Sequence, residues 1–376
     1  MAYQTGDNIL DDHYNDFATS VNALWGTGTG DRGYGETTTV TSVSVGDNVT
    51  ATQWTTLLNR ISSMASHQGT SITTITNPST GDLIEAYSAL SGNIQSIDDD
   101  RLNVATRQTA VSANVDLATS LTGTITQERK FAWGSADQAR YFFNAGGRLT
   151  CSWNLSGHTS DSKANNWASL ATACGTYIIN AQTSGKSGGS GTTNTNLTDR
   201  GYHDMNATAT TTFKQFEDSS PYTASFIDLT SRTEDSGASV ELVSRWVDAA
   251  ADQTSYNKNI YNVQDQVDGT KRTTFAYQKH DTTYVADNGG TITVTTPTNT
   301  HSSDIRLKTN VETLGVVEGL QTYSWNYIAG TGIEGTYTGV IAQDLLGTQY
   351  ENALSYDEMG YYQVNYDMLP VDCVKQ

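Results

Sequence analysis

The chain has 376 residues and a formal charge of −19, from 40 acidic against 21 basic side chains. That balance offers no basic track to a phosphate backbone and is repelled by an anionic bilayer, so nucleic-acid binding and membrane insertion are disfavoured. Hydrophobic residues make up 36% and charged residues 16%, the remainder being rich in Thr, Ser, Asn and Gly with 20 Tyr, which suits long β surfaces better than a compact enzyme.

The length predicts two or three domains. The three cysteines, Cys151, Cys174 and Cys373, fit no metal or redox spacing, and the first two fall on apolar faces as small buried hydrophobes. With no signal-peptide-like start and no run of 18 apolar residues, synthesis in a reducing cytosol is expected. The expected fold class is α+β and multidomain: a helical repeat module over 1–105, a β-sandwich-like knob over 106–300, and a small α+β domain over 303–376.

In the first module Gly6-Asp7-Asn8-Ile9 recurs as Gly46-Asp47-Asn48-Val49. The apolar positions that follow repeat at the same offset. Tyr14, Phe17, Ala18, Val21 and Leu24 correspond to Trp54, Leu57, Leu58, Ile61 and Met64, each set spaced as one face of an α-helix. Asp11 or Asp12, and Thr50 or Thr52, are N-cap candidates. Gly26–Gly35 lacks the flanking strand and the Lys-Ser/Thr of a phosphate loop and reads as a structural turn. Thr37–Val45 alternates like a strand. A third helix is expected from Asp82 to Asp99, where Leu83, Tyr87, Leu90, Ile94 and Ile97 recur in steps of four and three. That is a heptad seam, suited to a short coiled coil between subunits, with packing on the two preceding helices as the alternative.

Alternation at Leu149-Cys151-Trp153-Leu155, Val240-Leu242-Trp246, Thr273-Phe275-Tyr277 and Ile292-Val294 predicts strands in the middle region. Ser135 opens a helix that ends at Gly146-Gly147. A second helix carries Trp167, Leu170, Ala171 and Cys174 and stops at Gly175. Residues 184–200, rich in Gly, Ser, Thr and Asn, are expected to form an exposed loop. The six histidines are scattered without metal-ligand spacing, so neither a metal nor a cofactor is expected. Asp98-Asp99-Asp100 reads as a helix-end cluster. Exposed Tyr and Trp could bind a sugar or a protein receptor, or else fill cores and interfaces.

The chemistry-bearing stretch is His301-Ser302-Ser303-Asp304-Ile305-Arg306-Leu307-Lys308-Thr309-Asn310. A serine hydroxyl needs a base beside it, and a lysine whose charge is disfavoured by burial can be that base. In a Ser-rich chain such a spacing also arises by chance. The stretch, however, resembles the start of the intramolecular chaperone domain of endosialidases and other phage tail fibres and tailspikes, matching at Ser303, Asp304, Arg306, Leu307, Lys308 and Asn310. Further matches follow in order: Gly319-Leu320 before Tyr323-Ser324-Trp325, then Gly339-Val340-Ile341-Ala342-Gln343-Asp344, then Gly360 with Val364, Tyr366 and Leu369.

The resemblance implies a domain that trimerises, assists folding of the fibre ahead of it, and then cuts itself off. Ser303 would be the nucleophile and Lys308 the base, with the cut between Ser302 and Ser303. Asp304, Arg306, Asn310 and Gln343 would support the motif. Family members continue into long C-terminal helices, for which the segment from Met368 to Gln376, with Pro370 inside it, leaves little room. That motivates the alternative of a purely structural virion protein with an inert, vestigial domain. The N-terminal Tyr3-Gln4-Thr5-Gly6-Asp7 and Tyr14-Asn15 resemble the starts of structural proteins of cyanobacterial and other tailed phages, and Arg140–Gly147 resembles a run in phage virion proteins. The expected setting is therefore a homotrimeric tail or neck appendage of a virion, assembled in the host cytoplasm and joined to other virion proteins through the N-terminal module. A glycan-degrading tailspike would carry a long β-helix with paired carboxylates, and the sequence has neither.

Overall fold

The computed structural model describes the chain apart from residues 1–10, 78–86, 119–120, 122–123, 160, 191–198, 251–253, 258–259, 265–266, 296–299, 330, 332, 334, 357–359, 367–368 and 376. The chain divides into two compact units, Met1–Thr295 and Thr296–Gln376.

The first unit opens with three helices, α1 (Asp11–Trp25), α2 (Ala51–Gln68) and α3 (Tyr87–Asp99). Thr50 caps α2 in a reciprocal capping box with Gln53, satisfying donors that the first turn leaves open. Asp11 and Asp12 lie in the first turn of α1, and the first Gly-Asp-Asn turn falls outside the described residues. Both predicted apolar faces are buried in one core. Leu90, Ile94 and Ile97 of α3 join that same core, so the described part of the seam packs within its own chain and not against another subunit. Leu83 lies outside the described residues.

Thr37–Val45 pairs with no strand among the described residues. Its backbone is satisfied by side chains of α1 instead. The Asn22 amide donates to the Val40 carbonyl and accepts from the Val40 N–H, both at 2.8 Å, and Asn15 treats Val43 the same way. Asn93 of α3 repeats the device on Thr73. Carboxamides thus supply the donor and acceptor that a neighbouring strand would offer.

The rest of this unit is a sandwich of two antiparallel sheets. Its strands are β1 (Val111–Leu117), β2 (Thr124–Ala132), β3 (Arg148–Ser156), β4 (Thr176–Ile179), β5 (Ser184–Ser187), β6 (Thr210–Phe216), β7 (Phe226–Glu234), β8 (Ser239–Val247), the separate hairpin β9 (Thr254–Asn257) and β10 (Ile260–Gln264), β11 (Thr270–Gln278) and β12 (Thr293–Thr295). One sheet runs β1-β11-β3-β4-β5 and the other β12-β2-β8-β7-β6. Between them lie Phe131, Cys151, Trp153, Phe213, Leu229, Leu242 and Phe275, among others. Trp153 stacks on Phe213 across the layers and donates its indole N–H to Ser244. Two helices, α4 (Ala136–Asn144), capped by Ser135, and α5 (Ser162–Cys174), complete the layer. Ser184–Ser187, expected in a loop, pairs with β4 as a sheet edge; a short, polar edge strand carries little sequence signal. Cys151 and Cys174 are buried free thiols.

The helices and the sandwich share this unit. The Asn144 amide donates to the carbonyls of Gly30, Arg32 and Gly33, and the Arg140 guanidinium donates to those of Thr27 and Arg32 at 2.7 Å. The Gly-rich loop therefore turns its carbonyls toward α4. A Cβ on Gly28 would lie 2.6 Å from the Ala23 oxygen, which is why the loop needs glycine there.

The second unit contains two small sheets. Strands β13 (Thr300–Ser302), β17 (Leu354–Tyr356) and β18 (Tyr362–Asn365) form one, and β14 (Lys308–Val317), β15 (Leu320–Tyr327), β16 (Thr336–Gly339) and β19 (Val374–Lys375) form the other. Glu318 and Gly319, both at positive φ, close the tight β14–β15 hairpin. No helix among the described residues is long and apolar enough to cross a membrane.

Candidate functional site

The motif around Ser303 forms the short connection from β13, in one small sheet, to β14, in the other. Asp304 caps the single 3-10 turn Ile305–Leu307 by accepting the Arg306 N–H at 2.9 Å. The same carboxylate, fully buried, also accepts from the Arg306 guanidinium, from Gln343 Nε2 at 2.8 Å and from the Tyr362 N–H at 3.0 Å. Those donors, Arg306 first, hold Asp304 well below the usual carboxylate range. Gln343 closes the knot by accepting the Ile305 N–H at 3.0 Å. Asp304, Arg306 and Gln343 thus fix the backbone on either side of the turn.

Ser303 and Lys308 flank that turn and are both buried, Ser303 at 0% exposure and Lys308 at 7%. Ser303 Oγ lies 2.9 Å from the Tyr366 hydroxyl. Tyr366 Oη in turn donates to the Val340 carbonyl at 3.2 Å and accepts the Val340 N–H at 3.1 Å. Lys308 Nζ donates to the same Val340 carbonyl at 3.3 Å. The two side chains therefore meet at Val340 and Tyr366, and no direct hydrogen bond joins Ser303 to Lys308.

Lys308 opens β14 directly opposite Tyr327 of β15. Trp325, two residues earlier on β15, shares a sheet face with Tyr327. The Lys308 ammonium sits 3.1 Å from the Trp325 ring centroid. No described carboxylate pairs with it. Burial pushes the amine down from 10.5 to about 7, against a weaker opposing pull from Cys373 and Asp304. A glycine is required at 339, where a Cβ would lie 2.8 Å from Tyr366 Oη and 3.0 Å from the Trp325 ring. Cys373 borders the same cluster, and burial pushes its thiol up to about 11, leaving it a poor nucleophile.

The Ser302 carbonyl, acyl half of the expected scissile bond, accepts a hydrogen bond from Tyr327 Oη at 2.6 Å. Tyr327 was not singled out from the sequence. Its signal was the alternation Tyr323-Trp325-Tyr327, which marks a strand face but no chemistry. Asn310, expected as a supporting residue, stands apart from this cluster. It is exposed, occupies a left-handed conformation at φ 52°, and contacts Asn326 at a bulge in β14. Among the described residues no cluster of His, Cys, Asp and Glu has metal-binding geometry.

Residues 303–349 match the family model described as the chaperone of endosialidase. The match begins at Ser303 itself and supports a chaperone domain at this end of the chain. A comparison with curated proteins finds no match, and a comparison with solved structures finds none either.

Proposed function

We propose that this chain is a homotrimeric tail or neck fibre protein of a tailed phage, matured by a single self-cleavage between Ser302 and Ser303. The observation that carries the reading is the buried Lys308 amine, unpaired with any described carboxylate, which donates to the same Val340 carbonyl as the Tyr366 hydroxyl that holds Ser303 Oγ. Burial lowers the lysine pKa to about 7, so that it can give up its charge near neutral pH and accept a proton.

Ser303 Oγ attacks the Ser302 carbonyl carbon as its proton leaves toward Lys308. The tetrahedral adduct collapses with rupture of the Ser302–Ser303 C–N bond, and the Ser303 amine takes up a proton. Water then hydrolyses the resulting ester, releasing the Ser302 carboxylate and restoring the Ser303 hydroxyl. Trimer formation is supported by β14, on which Leu314 is 57% and Val316 66% exposed, apolar surface suited to burial against other copies. The sandwich is the part of the fibre offered to a host glycan or protein, and the N-terminal helices are the part that joins other virion proteins.

Intact-mass spectrometry of the purified chain tests the cleavage. Residues 303–376 are expected to be released, and S303A and K308A are expected to remain whole. A second reading, an inert chaperone fold in a structural virion protein, is favoured by the hydrogen bond of Ser303 to Tyr366 in place of one to Lys308. A wild-type chain that stays uncut establishes that second reading. Light scattering that finds a monomer removes the trimer from both.

A further inference from the structure

Self-cleavage by Ser303 needs more than a nucleophile and a base. As Oγ bonds to the Ser302 carbonyl carbon, the carbonyl π pair moves onto its oxygen. That oxygen already has a donor, the Tyr327 hydroxyl at 2.6 Å. We propose that Tyr327 is a catalytic residue of the cleavage, its phenol donating to the Ser302 oxygen as that oxygen becomes an oxyanion. The inference rests on the proposed Ser303 attack.

Three features fit Tyr327 for this task. Its ring is 8% exposed and held by edge contacts with Trp325 and Tyr337, at 6.3 and 5.2 Å between centroids, so the donor is fixed before the reaction begins. Burial pushes its hydroxyl above the ordinary tyrosine range, so the phenol is protonated at the pH where Lys308 loses its proton. Its partner across the hairpin is Lys308, so one cross-strand pair places the proton acceptor and the oxyanion donor together. A preorganised donor in a site closed to water is worth far more than the same bond in solvent. During the step the Tyr327 O–H bond stays intact. It strengthens its hydrogen bond as charge develops, and relaxes when the adduct collapses and the C–N bond breaks.

The bland alternative is that this hydrogen bond merely ties β15 to the end of β13. The rate of release of residues 303–376 from the full-length chain, followed by mass spectrometry across pH, separates the two. Tyr327→Phe is expected to slow release about 10²–10³-fold while leaving the pH midpoint set by Lys308 unchanged. If Y327F cleaves at the wild-type rate while S303A and K308A are inert, Tyr327 has no catalytic role and the Ser–Lys reading survives. If Y327F is slow but its midpoint moves up toward the ordinary lysine value, the residue positions Lys308 and the inference is wrong. An uncut wild-type chain overturns both the inference and the reading beneath it. Should Y327F fail to fold, 3-fluorotyrosine incorporated at position 327 keeps the hydroxyl and makes it more acidic. Faster release then supports the donor role, and an unchanged rate overturns it.

Discussion

The buried Lys308 makes the second unit's stability depend on pH in a direction opposite to a surface lysine's. Its folded value of about 7 lies below the unfolded 10.5, so the unfolded chain binds more protons between those limits. The charge penalty is fully present below pH 7 and fades as pH rises toward 10.5. In a Ser303→Ala background, where the chain stays whole, raising the pH from 6 to 9 is expected to stabilise the second unit by about 3 kcal/mol. At pH 9 the unfolded Cys373 thiol, with an ordinary value of 9.0, is half ionised while the folded one, pushed up to about 11, is not, which takes back about 0.4 kcal/mol; the buried tyrosines act with the same opposite sign only at higher pH. The assay is a urea titration of the full-length chain with pulse proteolysis, reading survival of the C-terminal peptides by mass spectrometry. S303A/K308M is expected to be more stable than S303A at pH 6 and to lose this slope. A flat profile in S303A, or the same slope in both variants, would refute the assignment of a buried amine held below its ordinary range.

Asp304→Asn in the same background removes the anion from a set of donors supplied by Arg306, Gln343 and Tyr362, and is expected to destabilise the second unit by about 2–4 kcal/mol in the urea midpoint. In the first unit, His67 is buried against His280 at 5.2 Å between ring centroids, and burial lowers it from 6.5 to about 4. Its contribution is whole above pH 6.5 and is lost as pH falls toward 4, at most about 3 kcal/mol. Melting of the wild type between pH 7 and 4.5 is expected to show that loss, and His67→Gln to blunt it. Asn22→Ala deletes two backbone partners of Val40 and is expected to cost about 2 kcal/mol, read as faster hydrogen exchange at the Val40 amide.

Local pattern made much of the architecture legible. Strands such as Leu149–Leu155 alternate because one face meets the other sheet, and the helix faces of Tyr14–Leu24 and Trp54–Met64 repeat because both are buried. Pattern failed where a side chain replaced a strand. Thr37–Val45 alternates, yet Asn22 and Asn15 of α1 satisfy its backbone and it joins no sheet. The heptad steps of α3 were ambiguous for a related reason, since periodicity fixes which face is apolar and not whose surface covers it. The covering surface proved to be α1 and α2 of the same chain.

The amino-acid order offered Ser303 and Lys308 as a nucleophile and a base, and it was the resemblance to the endosialidase chaperone domain that singled them out together with Asp304, Arg306, Asn310 and Gln343. Only the tertiary structure placed Tyr327 on the Ser302 carbonyl, Tyr366 against Ser303, and the Trp325 ring beneath Lys308. Those contacts depend on the β14–β15 register and on a side-chain-free Gly339, neither of which a linear reading resolves. The physical reason is that a lysine's basicity is a property of what surrounds it. The surroundings here come from strands that meet only once the chain has folded.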